Sequence, residues 1–288
     1  MSSPDLPRAY AEEVLRKLGF REQVPDVEEI ARRLSLDVEE EDLEGFDGCL
    51  VRPVGVPIGI IGVRRDIREV ARKRFTVAHE IGHFLLPEHD QAEGVCTSRD
   101  LNRWSPAKHD YEQEANQFAA ELLIPTEFAK RIIAGFTPSL DAVKETANKF
   151  GTSLSATGWR YCELTTARCA FVWSADGRIV WSKTSSSFGY PLYSRTEVGD
   201  GTGAFELFQG SSVSADPLRV CADLWLPAGR VTSSATVLEQ SMRLTNYNAV
   251  VSFIWIDDEI DRDETPELLD ELDPEEFTIN RRKWPGKR

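Results

Sequence analysis

The chain has 288 residues, 41% of them hydrophobic, with 19 glycines, which is ample material for a buried core. Its longest nearly uninterrupted apolar run, Val56 to Val63, is far too short to span a membrane. Five cysteines (Cys49, Cys96, Cys162, Cys169, Cys221) are widely spaced, odd in number and without a C-x-x-C pair. That pattern argues for reduced thiols in a cytoplasmic compartment, against a disulfide framework or a cysteine zinc knuckle. The opening Met1-Ser2-Ser3-Pro4-Asp5 lacks the basic-then-apolar layout of a secretory signal. Membrane, secreted and fibrous classes are not expected.

Acids outnumber bases 48 to 34, for a net charge of -14. Twelve acids and one base fall between Asp257 and Glu276, and the last eight residues carry five bases. No dense basic stripe precedes that tail, which argues against direct DNA binding, since phosphate neutralisation supplies most of such affinity. The acidic run reads as a solvated, partly disordered segment, with a docking strip for a basic partner as the alternative.

In chain order, Tyr10 to Leu18 reads as an amphipathic helix. A second helix follows Asp26, with Val27, Ile30, Ala31 and Leu34 at helical spacing. A strand-like Leu36 to Val38 leads into an acidic turn, Glu39 to Glu44. Gly48 to Val54 and Val56 to Val63 form a hairpin pattern. Helices are expected from Ile67 to Leu86 and from Asp110 to Ile124, each ended by proline, with a loop of low pattern between them. Thr126 to Ala134 is a short helix. Ser139 to Phe150, Gly151 and Ser153 to Leu164 read as helix, tight turn, helix. From Cys169 the character changes: Ala170 to Trp173, Asp176-Gly177 and Arg178 to Ser182 form a hairpin, and Leu218 to Leu226 and Ala249 to Ile256 are further strands. A domain boundary falls between Leu164 and Arg168.

Chemistry concentrates in Phe75-Thr76-Val77-Ala78-His79-Glu80-Ile81-Gly82-His83, which contains H-E-x-x-H. Residues four apart share a helix face, so His79 and His83 can reach one ion, and Zn²⁺ suits imidazole ligands with an open fourth position. Glu80 is rotated about 100° from His79. It can therefore address the attacking water as a general base instead of the metal. Gly82, costly within a helix, marks a close approach by another backbone or a substrate.

The third ligand has three candidates. His89 stands six residues after His83, the metzincin distance, but that geometry wants a glycine where this chain has Leu86. In Tyr111 to Pro125, Glu112, Ala115, Ala119 and Leu122 share a face whose small residues permit tight packing. Glu114 points away, towards the side of Gln117 and Glu121. Glu112 is the favoured ligand, with Glu114 and His89 as alternatives. Tyr111 and His109 are candidates by proximity alone for stabilising an oxyanion. Cys96 reads as a structural cysteine before an inhibitory zinc thiolate.

The segments R-F-T-V-A-H-E-I-G-H-F-L-L-P (Arg74 to Pro87) and Y-E-Q-E-A-N-Q-F-A-A-E-L-L-I-P (Tyr111 to Pro125) resemble the ImmA/IrrE family of metallopeptidases. P-D-V-E-E-I-A-R-R-L (Pro25 to Leu34), G-F-D-G-C-L (Gly45 to Leu50) and Ser139 to Leu164 extend the resemblance over roughly residues 8 to 165. It implies a zincin-like domain with two ligand helices beside a short sheet. His79, His83 and Glu112 would hold zinc, with Glu80 as catalytic acid/base. Members of the family cleave helix-turn-helix transcriptional repressors and so switch on stress-response or mobile-element genes. Some carry a GAF-like sensor domain at the C-terminus, the place that residues 169 to 288 occupy here.

The expected fold class is α+β. A mainly helical metallopeptidase domain with a short sheet covers residues 1–165 and includes the helix-turn-helix-like pair at 139–164. An α+β sensor or regulatory domain covers 166–288 and ends in the acidic tail 257–276. The expected activity is zinc-dependent peptide-bond hydrolysis, with Mn²⁺ able to serve in assays and a helix-turn-helix repressor as substrate. An extended substrate would add a strand to the edge of the Val56 to Val63 hairpin. The competing reading is a non-proteolytic regulator or sensor with a vestigial metal site, using Leu154 to Leu164 for DNA. That helix offers only one base, Arg160, and one acid, Glu163.

Overall fold

Several helices in this chain begin where a side chain can satisfy their first amides. Asp26 accepts from the backbone N–H of Glu28 at 3.1 Å and Glu29 at 3.2 Å. Ser139 and Ser153 do the same for Ala142 and Ala156. Gly151 closes the first of those two helices in the left-handed conformation, with φ of 63°. The computed structural model describes residues 6–20, 22–52, 58–87, 89, 95–96, 111–227, 234–244 and 248–257.

The first half runs α1 (Leu6–Leu18), α2 (Val27–Arg33), β1 (Leu36–Glu41), β2 (Gly48–Val51), β3 (Gly59–Arg64), α3 (Val70–Leu85), β4 (Val95–Cys96), α4 (Tyr111–Leu123), α5 (Thr126–Ile133), α6 (Leu140–Phe150) and α7 (Leu154–Leu164). Its four strands lie in the order β1-β3-β2-β4, with β1 parallel to β3 and the remaining pairs antiparallel. Strand β3 is therefore interior, paired on both sides. The expectation that a substrate adds to the edge of the Val56 to Val63 strand is corrected: β1 and β2 already hold both of its ladders. The expected acidic turn at Glu39 is corrected too, since β1 continues through Glu41 opposite Arg64.

The second half runs β5 (Cys169–Ala175), β6 (Arg178–Thr184), α8 (Gly203–Phe208), β7 (Leu218–Cys221), β8 (Thr236–Leu244) and β9 (Ala249–Trp255). These strands form one antiparallel sheet in the order β6-β5-β9-β8-β7. Every residue of β9 is buried, as its apolar run, interrupted only by Ser252, suits a central strand covered on both faces. Strand β8 has no counterpart among the sequence expectations, and β7 stops at Cys221, where a 3-10 turn (Ala222–Leu224) takes over. The fold class is thus mixed α+β with two sheets.

The expected 165/166 boundary falls at the connector between α7 and β5, and apolar packing continues across it. Tyr161 meets Phe253 edge-on at 5.6 Å, and Trp159 lies 5.6 Å from Trp181. At Gly158 a Cβ would sit 2.3 Å from the Phe171 ring. Polar groups reinforce the seam: Arg8, Arg160 and Lys183 all converge on Glu163. Residues up to Ile256 form one compact unit. The acidic tail expectation concerns 257–276, which lies outside the described residues beyond Asp257. No described helix is long and apolar enough to cross a membrane.

Two expectations follow from this seam. Gly158→Ala drives a methyl into a ring and should cost about 1–3 kcal/mol by thermal or urea unfolding. Phe171→Leu in the same chain should recover part of that loss, and a neutral Gly158→Ala would refute the close approach. Burial raises the Glu163 carboxyl pKa, but the charges of Arg160, Lys183 and Arg8 hold it below the usual range. A lowered folded pKa adds stability above the unfolded value, and that stability is lost as pH falls through the folded one. Glu163→Gln should therefore flatten the acid limb of stability below about pH 4.5; an unchanged limb would show that the carboxylate contributes nothing there.

Candidate metal centre

The site is built by two helices that approach unusually closely. At Gly82 on α3, a Cβ would stand 3.2 Å from the Cα of Ala115 on α4 and 3.2 Å from the Phe118 ring. The helical glycine thus serves a backbone approach, and Ala115 and Ala119 are fully buried against it. From Thr76 to His83 every residue of α3 is buried. Helix α3 ends at Leu86 in extended conformation, φ of -74° and ψ of 139°, as the residue before Pro87 demands. No positive-φ turn is present at Leu86, so the chain does not make the metzincin reversal.

This packing brings three expected residues together. His79 Nε2 lies 3.0 Å from His83 Nε2 and 3.1 Å from Glu112 Oε2, and His83 Nε2 lies 3.3 Å from Glu112 Oε1. Among the described residues, His79, His83 and Glu112 form the group able to hold a metal ion. Ligand atoms bound to a tetrahedral zinc at about 2.05 Å stand about 3.3 Å apart. The donor set, two imidazoles and one carboxylate with a position left over, is that of a catalytic zinc.

The outer nitrogens of both rings are committed elsewhere. His79 Nδ1 donates to Asn116 Oδ1 at 3.0 Å, one residue along α4 from Ala115. Without a cation, the two Nε2 atoms can meet the Glu112 carboxylate and each other only through shared protons, which a bound cation would replace. Burial alone would raise the Glu112 carboxyl pKa, but its hydrogen bonds with His79 and His83 win and hold it well below the ordinary range.

Neither alternative to Glu112 joins the ligand group: buried His89 sets its Nδ1 2.9 Å from His83 Nδ1, on the ring side opposite the ligand atoms. Glu114 does not turn away from the site, because its Oε2 reaches His89 Nε2 at 3.1 Å. Burial lowers the His89 pKa and outweighs the opposing hydrogen bond from Glu114. Tyr111 packs its ring edge-on to His89 at 4.9 Å. His109 and the Cys96 side chain lie outside the described residues.

Glu80 is fully buried and faces β2, where a Cβ at Gly48 would stand 2.9 Å from its Oε1. Its charge, after burial, helps raise the thiol pKa of neighbouring Cys49. Strand β2 is clamped there by Asp47, wholly buried, which pairs with Arg64 at 3.0 Å and accepts from Arg72 of α3 at 2.8 Å. Arg52, at the other end of β2, donates to the His83 carbonyl and stands over the Phe84 ring. Asp47, Arg52, Arg72 and Asn116 escaped sequence reasoning. For Asn116 the available signal was its place one residue from the small-residue face of α4. Nothing local marks Asp47, whose partners are remote in sequence.

Helix α7 is occupied on both sides. Arg160 is buried and pairs with Glu121 of α4, bonds Thr126 Oγ1 at 2.7 Å and reaches the Ile124 carbonyl. The one base that a DNA-reading helix would extend is thus spent inside the protein.

The close crossing generates its own test. Gly82→Val should pry α4 away and carry Glu112 from the imidazoles, lowering affinity for an added divalent metal about tenfold in competition with a chromophoric chelator. Undiminished affinity would show that the approach at Gly82 does not set the carboxylate's position.

Residues 31–160 match the IrrE N-terminal-like domain, peptidase M78. Among solved structures, a Mycobacterium tuberculosis transcriptional regulator superposes with a TM-score of 0.52 at 15% identity, over 87% of this chain and 75% of that one. At that identity the likeness is one of fold. No curated protein matches the chain. Residues 31–160, with the paired histidines and the following glutamate helix, thus carry an IrrE N-terminal-like domain.

Proposed function

We propose that this protein is a zinc-dependent endopeptidase that cleaves a helix-turn-helix repressor of the XRE type and so derepresses stress-response or mobile-element genes. One observation carries the hydrolase reading: His79 Nε2, His83 Nε2 and the Glu112 carboxylate converge within 3.0–3.3 Å beside a buried glutamate. The substrate class rests on the family resemblance.

His79, His83 and Glu112 would hold the ion, which when bound polarises the scissile carbonyl and acidifies water. Glu80 takes the proton of the attacking water and returns it to the leaving amine. Its burial against Gly48 fixes its direction, and Asp47 holds that strand in place. On this side of the first sheet β4 is the last of the described strands, and its outer edge is where an extended substrate would pair. We assign residues 1–165 to the peptidase and 166–288 to a GAF-like sensor region, supported by the antiparallel sheet with α8 packed on β8 and β9. Free thiols at Cys49, Cys162, Cys169 and Cys221 suit a reducing, cytoplasmic setting.

The test combines purified protein, a candidate repressor and added Zn²⁺ or Mn²⁺. Glu80→Gln should lose cleavage by about 10²–10⁴-fold while still binding metal. Cleavage that survives this substitution would remove Glu80 as the base, and cleavage that survives a chelator would remove the metal.

A further inference from the structure

We infer that His89 and Glu114 are positioning residues that lock the His83 ring in its metal-binding tautomer. The inference rests on the zinc-site reading above and adds a role for two residues outside the ligand set. Glu114, His89 and His83 form a chain of two hydrogen bonds, 3.1 Å from Glu114 Oε2 to His89 Nε2 and 2.9 Å from His89 Nδ1 to His83 Nδ1.

With His83 Nε2 turned to the metal, only one placement of protons satisfies that chain. A carboxylate oxygen accepts, so His89 carries its proton on Nε2 and donates to Glu114. The neutral His89 Nδ1 is then an acceptor, and the proton between the two rings belongs to His83 Nδ1. His83 Nε2 is left with a lone pair, aimed at the side where His79 Nε2 and Glu112 Oε1 stand at 3.0 and 3.3 Å. The reverse order would set a bare His89 Nε2 against the Glu114 carboxylate. It would also put the His83 proton on the nitrogen facing the ligand atoms.

Burial gives the chain its force. His79 is wholly buried, and His83 and His89 are at most 5% exposed, so solvent cannot easily replace either bond. The two ligand histidines are served differently. A neutral amide, Asn116, orients His79, while an imidazole backed by a carboxylate orients His83.

With four histidines in the chain, long-range ¹⁵N–¹H spectra of histidine-labelled protein can read each tautomer directly. The expected result in the zinc-loaded protein is His83 protonated at Nδ1 and His89 at Nε2. The opposite tautomers would overturn the relay even where zinc binds. The expected tautomers in a protein that binds no zinc would uphold the relay and overturn the peptidase reading instead. In chelator competition, His89→Leu should weaken zinc binding about 10–100-fold. His89→Asn, whose carbonyl oxygen falls near the lost Nδ1, should recover most of it. Equal losses in both variants, or His89→Leu within twofold of wild type, would reduce His89 to packing. Glu114→Gln keeps an acceptor but loses the charge and should weaken binding several-fold; unchanged affinity there would cut Glu114 out of the relay.

Discussion

The α4 side of the metal centre is placed by one apolar contact, the meeting of Gly82 with Ala115 and Phe118. With no side chain at position 82, the axes of α3 and α4 can close until backbone meets backbone. Glu112 lies three residues before Ala115 and Asn116 one residue after it, so both follow where that contact goes. One then reaches the inner nitrogens of the two rings and the other holds an outer nitrogen. Packing precision thereby becomes ligand geometry, and a movement of a few tenths of an ångström between the helices is felt as a change in coordination.

What could be read from sequence was whatever the helix period alone decides. His79 and His83 share a face by spacing, and Glu112 shares one with Ala115 and Ala119. Glu114 misled for an instructive reason: its direction on the α4 wheel is away from the ligands, yet His89, beyond the end of α3, reaches into its path. A wheel describes one helix and takes no account of the segment that follows its neighbour. The interior position of β3 was hidden in the same way, since its parallel pairing with β1 joins segments about twenty residues apart. The adjacent apolar residues Ile60 and Ile61 fit an interior strand as well as a hairpin edge.

Strand β8 shows how a local polar signal conceals a buried element. Its Glu239 and Gln240 are polar, and both are buried. Glu239 accepts from the Ala204 amide at 2.9 Å, from Trp225 Nε1 at 3.1 Å and from the Ser241 hydroxyl at 2.6 Å. Gln240 accepts from the Leu140 amide at 2.8 Å and donates to the Ala215 carbonyl at 2.7 Å. Buried polar groups persist where their partners are complete. Those partners are contributed by α6, α8 and loops that no short window of sequence brings together.

Helix α7 ties the ligand-bearing half to the second sheet through charges taken out of water. Arg160 reaches back to Glu121 near the end of α4, and Glu163 gathers Arg8 from α1 and Lys183 from β6. Such buried pairs seldom raise stability over an apolar replacement, but removing one partner is costly, so they specify which elements must lie together. The helix that carries Glu112 is therefore held at its first turn by the metal centre and at its last by α7. A displacement of the second sheet would bear on the carboxylate through the Glu121–Arg160 pair, because the aromatic seam at Gly158 leaves α7 little room to move independently. A region joined in this way can influence the candidate metal site without supplying any residue to it.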